Sequence, residues 1–276
     1  MRSVLWTAIL GILWTAGCAR QDVQIRGSEW HAVCQRMRPD RSAQAPEQPG
    51  PALRDDMCEQ LAKVARVASA SVVTIHTGAH RQHPADQAQA GVRHASASSR
   101  GTGLIISTEG AILTNEHVIR SDDPITVVLS DRSSYPAEKA FIDSRLDLAV
   151  IRIRRDRLPA IRPSTESVET GSAVVAIAGT ASSGSLPIRT GVVTSARISL
   201  QNELDPARRR DYGHLIESTV PLEAGFSGGP LLDVHGRLVG INVAVRGERR
   251  PACRGYAIPL NAQVRRLLAD ACSAPN

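Results

Sequence analysis

The apolar residues of this chain come in short, β-branched runs that turns interrupt every few residues, a rhythm that limits the fold more than any other feature. The first set of runs covers residues 71–76, 104–106, 111–113, 125–129, 139–142 and 149–153. A polar break with Pro159 and Pro163 follows, and then a second set at 173–178, 191–194, 215–218, 231–232, 238–245 and 256–258. Two sets of about six short strands predict an all-β chain with two β-barrels rather than one open sheet. Aromatic residues make up only 3% of the 276, so the cores must rest on Val, Ile, Leu and Ala, while 21 Gly and 16 Pro supply the turns. Two segments carry helical spacing instead: 53–68, with Leu53, Met57, Leu61, Val64 and Val67, and a closing stretch at 259–271, with Leu260, Val264, Leu267 and Leu268.

The amino terminus reads as a targeting segment. Arg2 gives a minimal positive start, and residues 4–16 are mostly apolar, too short to span a bilayer comfortably but suited to a signal-peptide core. The run ends in Thr15-Ala16-Gly17-Cys18, which resembles a bacterial lipoprotein box with Thr15 in place of the usual Leu. The expectation is a signal peptide over 1–18 with lipid on Cys18; ordinary secretory cleavage and an uncleaved anchor are the alternatives. Ala19 after the cysteine leans towards the outer membrane by resemblance to lipoprotein sorting. Residues 19–52, polar and rich in Gln, Arg and Pro, read as a flexible tether. With Cys18 lipidated, Cys34, Cys58, Cys253 and Cys272 remain. Four cysteines allow three pairings, of which neighbours in sequence give 34–58 and 253–272. Residues 80–100 are Ala, Ser, Gln and His with few apolar residues and read as an exposed insertion. His76, His80 and His83 nearby could suggest a metal site, but in such company they read as solvated, and no metal is expected.

The net charge is +6, and Lys63 and Lys139 are the only lysines. Arginine clusters at 152–155, 208–210 and 249–250. They could form a patch for nucleic acid, which would make affinity fall steeply with salt, but no nucleic-acid motif accompanies them. A solvated arginine face is the expectation, and nucleic acid is not an expected partner.

Three short segments carry chemistry. Ser227 lies in Gly225-Phe226-Ser227-Gly228-Gly229-Pro230, His117 in Leu113-Thr114-Asn115-Glu116-His117-Val118, and Asp147 in Leu146-Asp147-Leu148-Ala149-Val150. A serine hydroxyl becomes a nucleophile when a base takes its proton, and the base needs an anion behind it to hold its tautomer. Glycines around the serine let the backbone approach a substrate carbonyl and aim N–H groups at it. Taken singly, each segment has a bland reading: a turn, a helix start, an edge-strand charge. Their coincidence in the order His, Asp, Ser points to one reaction, with base and anion on one barrel, nucleophile on the other, and the site in the cleft between them.

With these flanks the chain resembles the trypsin-like serine proteases, and most closely their HtrA/Deg branch. The resemblance runs over about 57–268 and includes Gly101-Thr102-Gly103, the three segments above, Gly236-Arg237-Leu238-Val239-Gly240-Ile241-Asn242 and Gly255-Tyr256-Ala257-Ile258-Pro259. It implies two six-stranded antiparallel barrels of the chymotrypsin type over 53–272, one at about 70–160 and one at about 165–260, followed by a helix. It also implies peptide-bond hydrolysis without a cofactor or metal. Ser227 would be the nucleophile, His117 the base and Asp147 its orienting anion, with the N–H groups of Gly225 and Ser227 forming the oxyanion hole. The substrate pocket would be drawn from 220–222 and 241–243. Neither stretch holds an acid, so Leu222, Ile241 and Val243 should line an apolar pocket for a small or medium aliphatic side chain.

The pattern breaks at three positions. Phe226 stands where an Asn is usual, and it cannot capture a new amino terminus by an ion pair; Glu116 and Glu223 also stand where Asn is common. Too few residues follow Leu268 for the PDZ domain usual in that branch, so the expectation is a monomer or small oligomer without one. The leading reading is an endopeptidase on the periplasmic face of a bacterial envelope, acting on unfolded or exported proteins, or in soluble form if the cysteine is not lipidated. The alternative is a catalytically silent protease-fold module that grips extended peptides by strand addition.

Overall fold

The computed structural model describes residues 51–78, 99–179, 186–199, 210–243 and 254–273. The expected leader with Cys18, the expected insertion's His80 and His83, and Cys34 and Cys253 lie outside the described residues.

A helix, α1 (Pro51–Ser69), leads into six strands: β1 (Val72–Thr77), β2 (Ser99–Ile105), β3 (Ala111–Thr114), β4 (Ile125–Val128), β5 (Ser134–Asp143) and β6 (Leu148–Arg152). Six more follow: β7 (Ala173–Ile177), β8 (Ile188–Ile198), β9 (Leu215–Ser218), β10 (Pro230–Leu232), β11 (Leu238–Val243) and β12 (Gly255–Pro259), and then helix α2 (Ala262–Ser273). Each set closes on itself through antiparallel pairs, in the orders β1-β2-β3-β6-β5-β4 and β10-β11-β12-β9-β8-β7. The chain is thus an all-β molecule of two six-stranded antiparallel barrels with a carboxy-terminal helix, as the resemblance implied.

The alternation of side chains along each strand sorts the apolar residues into three clusters. One face of the first barrel turns Val73, Ile75, Ile105, Ile112, Val127 and Ile151 inward. The second barrel does the same with Val174, Ala176, Val193, Ile216, Leu231 and Val239. The opposite faces are also buried: Leu104, Leu113, Leu148 and Val150 of the first barrel join Val175, Ile177, Ile241 and Val243 of the second in a third cluster between them. Strands apolar on both faces explain why the sequence shows continuous runs rather than alternation.

Both helices cover this third cluster, α1 with Leu61, Val64, Ala65 and Ala68 and α2 with Val264 and Leu267. Asn261 caps α2, its side-chain oxygen accepting the Val264 N–H at 2.9 Å. Cys272 on α2 keeps a free thiol near the Ile106 carbonyl, at 3.4 Å, so it forms no 253–272 bridge, and burial pushes its thiol up from the ordinary value.

The strands are longer than the apolar runs in three places. β2 begins at Ser99, five residues ahead of the run at 104, so residues 99 and 100 belong to a strand and not to the expected insertion. β5 begins at Ser134, five residues ahead of the run at 139; its first half pairs with β4 and turns only Tyr135 and Ala137 towards the barrel core, an alternation too short to stand out in the sequence. β8 extends to Ile198 through bulges against β9, with polar residues on its outer part.

If the third cluster ties the two barrels together, Leu113→Ala, wholly buried there, costs about 3 kcal/mol in urea unfolding. Val67→Ala, on the exposed side of α1, changes stability by less than about 0.5 kcal/mol. Equal effects would contradict this packing.

Candidate active site

β3 ends where the chain must leave the first barrel, and the exit is a one-turn 3-10 helix at Glu116–Val118 that carries His117. The turn is anchored from below by Val118 and Ile119, buried in the barrel interior. Asp147 sits on the tight turn before β6, a turn shaped by Asp143, whose carboxylate accepts the N–H groups of Arg145 and Leu146 at 3.0 Å each. Asp147 itself has a φ of 55°, in the left-handed region that Asp tolerates better than most side chains.

The two turns are bonded to each other. The Asp147 carbonyl accepts the Glu116 N–H at 3.1 Å and the Asn115 side-chain amide at 2.9 Å. Its carboxylate accepts the His117 N–H on Oδ1 at 3.0 Å and meets His117 Nδ1 on Oδ2 at 2.8 Å. The Asp147 side chain is fully buried while that of His117 is about a quarter exposed. A buried carboxylate on Nδ1 favours the tautomer with its proton on that nitrogen, leaving Nε2 as the acceptor.

A second cationic partner reaches the same carboxylate oxygen. Arg210 Nη1 donates to Asp147 Oδ2 at 2.7 Å and to Tyr212 Oη at 2.9 Å, with the guanidinium nearly buried. Its other nitrogen lies 3.7 Å from Glu116 Oε2. Glu116 is in turn gripped by Arg120, whose side chain holds both carboxylate oxygens. The Arg120 bonds, and the charges of Arg120 and Arg210, hold the Glu116 carboxyl below the usual value despite its burial.

Ser227 comes from the second barrel, on the loop entering β10. Phe226 N–H bonds to the Glu223 carbonyl at 3.1 Å, closing a four-residue turn with Gly225 at φ 103° in its third position. A positive φ there is the mark of a type II turn, which glycine adopts without strain. Gly228, at φ 79°, then packs so closely on the first barrel that a Cβ would lie 2.3 Å from the Thr102 carbonyl oxygen and 3.0 Å from the Asn115 nitrogen. Ser227 is thereby set against the segment that leads into His117.

Thr102 is the clasp. Its N–H bonds to the Ser227 carbonyl at 3.0 Å, its hydroxyl donates to the Gly225 carbonyl at 2.5 Å and accepts the Gly179 N–H at 2.7 Å, and its own carbonyl accepts the Thr114 hydroxyl at 2.8 Å. From the other side Asn242 accepts the Gly228 N–H at 3.0 Å and donates to the carbonyls of Gly229 and Pro230 at 2.8 Å each.

The Phe226 ring turns away from this loop's open side and into the second barrel, where it is 2% exposed among Val174, Val193, Ile216 and Val220. Arg189, itself nearly buried, stacks 5.6 Å from the ring centroid and sits 3.8 Å from Glu223. Apolar burial and a cation over the ring thus anchor the residue before the serine.

The expected pocket residues part company. Leu222 is half-buried beside Gly255, where a Cβ would come within 2.9 Å of Leu222 Cγ, so the absent side chain leaves Leu222 its place. Ile241 and Val243 instead turn into the cluster between the barrels. Across the β9–β12 ladder from Tyr256 lies Glu217, buried, accepting from Thr194 at 2.7 Å, Tyr256 at 3.3 Å and Arg254; burial raises its carboxyl but these bonds bring it below the ordinary value. Of the three histidines considered for metal, His76 is on β1, and among the described residues no group of three potential ligands gathers.

A family model described as "Trypsin-like peptidase domain" matches residues 101–241. The chain belongs to the trypsin-like peptidase family. Among curated relatives of this peptidase family, a "Probable periplasmic serine endoprotease DegP-like" of Pseudomonas fluorescens is 37% identical over 163 residues, covering 59% of this chain and 33% of the relative. One of the same description from Chlamydia pneumoniae is 34% identical over 162 residues, covering 58% and 32%. The chain therefore spans about a third of the length of these relatives. Among solved structures, "HtrA-type protease AlgW with tripeptide" superposes with a TM-score of 0.61 at 28% identity over 76% of this chain and 62% of that one. The same protease with a decapeptide gives 0.59 at 26% identity, covering 76% and 66%.

Phe226→Ala should cost about 3–4 kcal/mol in urea unfolding, because it empties the barrel end and strips Arg189 of its ring, while Phe226→Leu costs about 1 kcal/mol. A neutral Phe226→Ala would mean that the ring does not anchor the loop.

Proposed function

We propose that this chain is a serine endopeptidase that cuts peptide bonds in unfolded or exported proteins of the bacterial cell envelope. The observation that carries the reading is the His117–Asp147 pair, with the imidazole held at 2.8 Å by a buried carboxylate, next to a serine loop clasped against the same turn. Ser227 Oγ attacks the scissile carbonyl carbon as its proton passes to Nε2 of His117. The oxyanion is received by the N–H groups of Gly225 and Ser227, one such donor being worth about 3–4 kcal/mol in a comparable enzyme. The carbon–nitrogen bond then breaks, His117 gives its proton to the leaving amine, and the acyl group stays on Ser227. Water attacks that ester as His117 takes its proton, and the acid leaves. Asp147 remains a carboxylate throughout, orienting the imidazole and stabilising its charged form.

The type II turn at Gly225 supports a preformed oxyanion site, since the type I alternative would need a negative φ there and would flip the Ala224–Gly225 peptide. Leu222 beside Gly255 supports an apolar pocket for a small or medium aliphatic side chain; Ile241 and Val243, turned towards the other barrel, support that pocket's backbone rather than its lining. The word "periplasmic" in the relatives' names, and the peptides named with the solved neighbours, support an envelope location and extended peptide substrates. Lipid on Cys18 would tether the domain to a membrane, as a monomer or small oligomer.

Cleavage of unfolded casein by the chain lacking residues 1–18, beside Ser227→Ala, tests the reading. The parent cuts and the variant loses at least about a thousandfold of the rate. Equal cutting by both would place the activity elsewhere, and no cutting by either would favour a silent peptide-binding module.

A further inference from the structure

We propose that Arg210 is a positioning residue of the triad, sharing Oδ2 of Asp147 with the imidazole and setting a buried positive charge against the charged form of His117. The inference rests on the catalytic reading of His117, Asp147 and Ser227.

Asp147 is buried, and its Oδ2 meets both His117 Nδ1 at 2.8 Å and Arg210 Nη1 at 2.7 Å. The guanidinium is as sequestered as the carboxylate requires, with only 7% of its side chain exposed, so solvent does little to screen it. Its place is fixed independently of the charge. The next residue, Asp211, donates its N–H to the Arg145 carbonyl at 3.0 Å, stitching this segment to the turn that carries Asp147. Tyr212 Oη then accepts from Arg210 at 2.9 Å and lies 3.5 Å from the same Oδ2.

Among the described residues, the other charged groups around the pair are Glu116, 3.7 Å from the guanidinium, Arg120, bound to Glu116, and the exposed Arg145–Asp211 pair. Around the imidazole, Asp147 and Glu116 favour the protonated ring, while Arg210 opposes it and half-neutralises the anions. A cation touching the shared oxygen lies within the ~4–6 Å over which a charge moves a neighbour's titration by about one to three pH units. It also keeps Oδ2, rather than Oδ1, facing Nδ1, since Oδ1 is occupied by the His117 N–H at 3.0 Å.

A buried arginine could merely balance two buried carboxylates, and that role would move stability without moving the ring's titration. The test is therefore the titration of the His117 ring, followed by NMR in the full-length chain carrying Ser227→Ala, with His117→Ala to assign the signal. Because it needs no turnover, it stands or falls apart from the casein assay. Arg210→Gln should raise the midpoint by about one pH unit, and Arg210→Lys should keep it near the parent. In the active chain, the acid limb of kcat/KM should move up with the midpoint in Arg210→Gln. Glu116→Gln, which leaves the Arg210–Asp147 contact in place, should lower the midpoint, and it serves where Arg210→Gln fails to fold. Midpoints that do not move in the folded variants, or that move in Arg210→Lys as far as in Arg210→Gln, overturn the proposal. A moved midpoint in a chain that cuts nothing would keep the electrostatic role and sink the catalytic reading instead.

Discussion

Asp147 is a full negative charge placed where water does not reach, and the arrangement of the site follows from having to satisfy it. Leaving such a carboxylate uncompensated would cost several kcal/mol, so every nearby element contributes a donor. The 3-10 turn offers a backbone N–H and an imidazole, and the second barrel's 210–212 segment offers a guanidinium. These bonds cross from barrel to barrel, which makes the geometry of the site and the docking of the two barrels one problem. The apolar seam of Leu113, Leu148, Ile177 and Ile241 supplies the burial, and the carboxylate supplies the register.

The serine loop solves a different problem, that of holding a glycine-rich backbone in one shape. Glycines at 225 and 228 give the positive φ values that the turn requires, but they also give the unfolded chain more freedom to lose. Thr102, Asn242 and the buried Phe226 ring restrain the loop from three sides. Where an ion pair to a new amino terminus would serve in digestive enzymes, here an aromatic ring under Arg189 fills the anchoring position. An anchor made of the protein's own core is present from the moment of folding.

Much of this was legible in the sequence, and the reasons differ by residue. The strands announced themselves where both faces are buried, as at 149–153 and 173–178, and went unseen where one face is polar, as in the first half of β5. His117, Asp147 and Ser227 stood out because each lies in a short, distinctive context. Leu222 was picked for its place before the serine and lies beside Gly255, whereas Ile241 and Val243 were picked for their strand, and proximity in a strand does not say which face a side chain takes; theirs turn into the cluster between the barrels. Arg210 was hidden in a run of three arginines that reads as a solvated face. Composition cannot tell which member of such a run turns inward; only the position of Asp147 across the barrel seam decides it. Phe226 looked like an obstacle in the loop because the sequence does not reveal that the ring points into the barrel. Glu116 made no sense alone and becomes intelligible once Arg120 and Arg210 are placed beside it.

The central claim is that His117, backed by Asp147, activates Ser227 in the folded chain without a further activating event. The most direct measurement is the rate of covalent labelling by a fluorophosphonate, followed by intact mass and mapping of the modified residue, in the parent and in His117→Ala. The account predicts a single adduct on Ser227 that forms readily in the parent and at least about a hundredfold more slowly without the imidazole. No adduct in the folded parent, or labelling at the same rate in both, would contradict it.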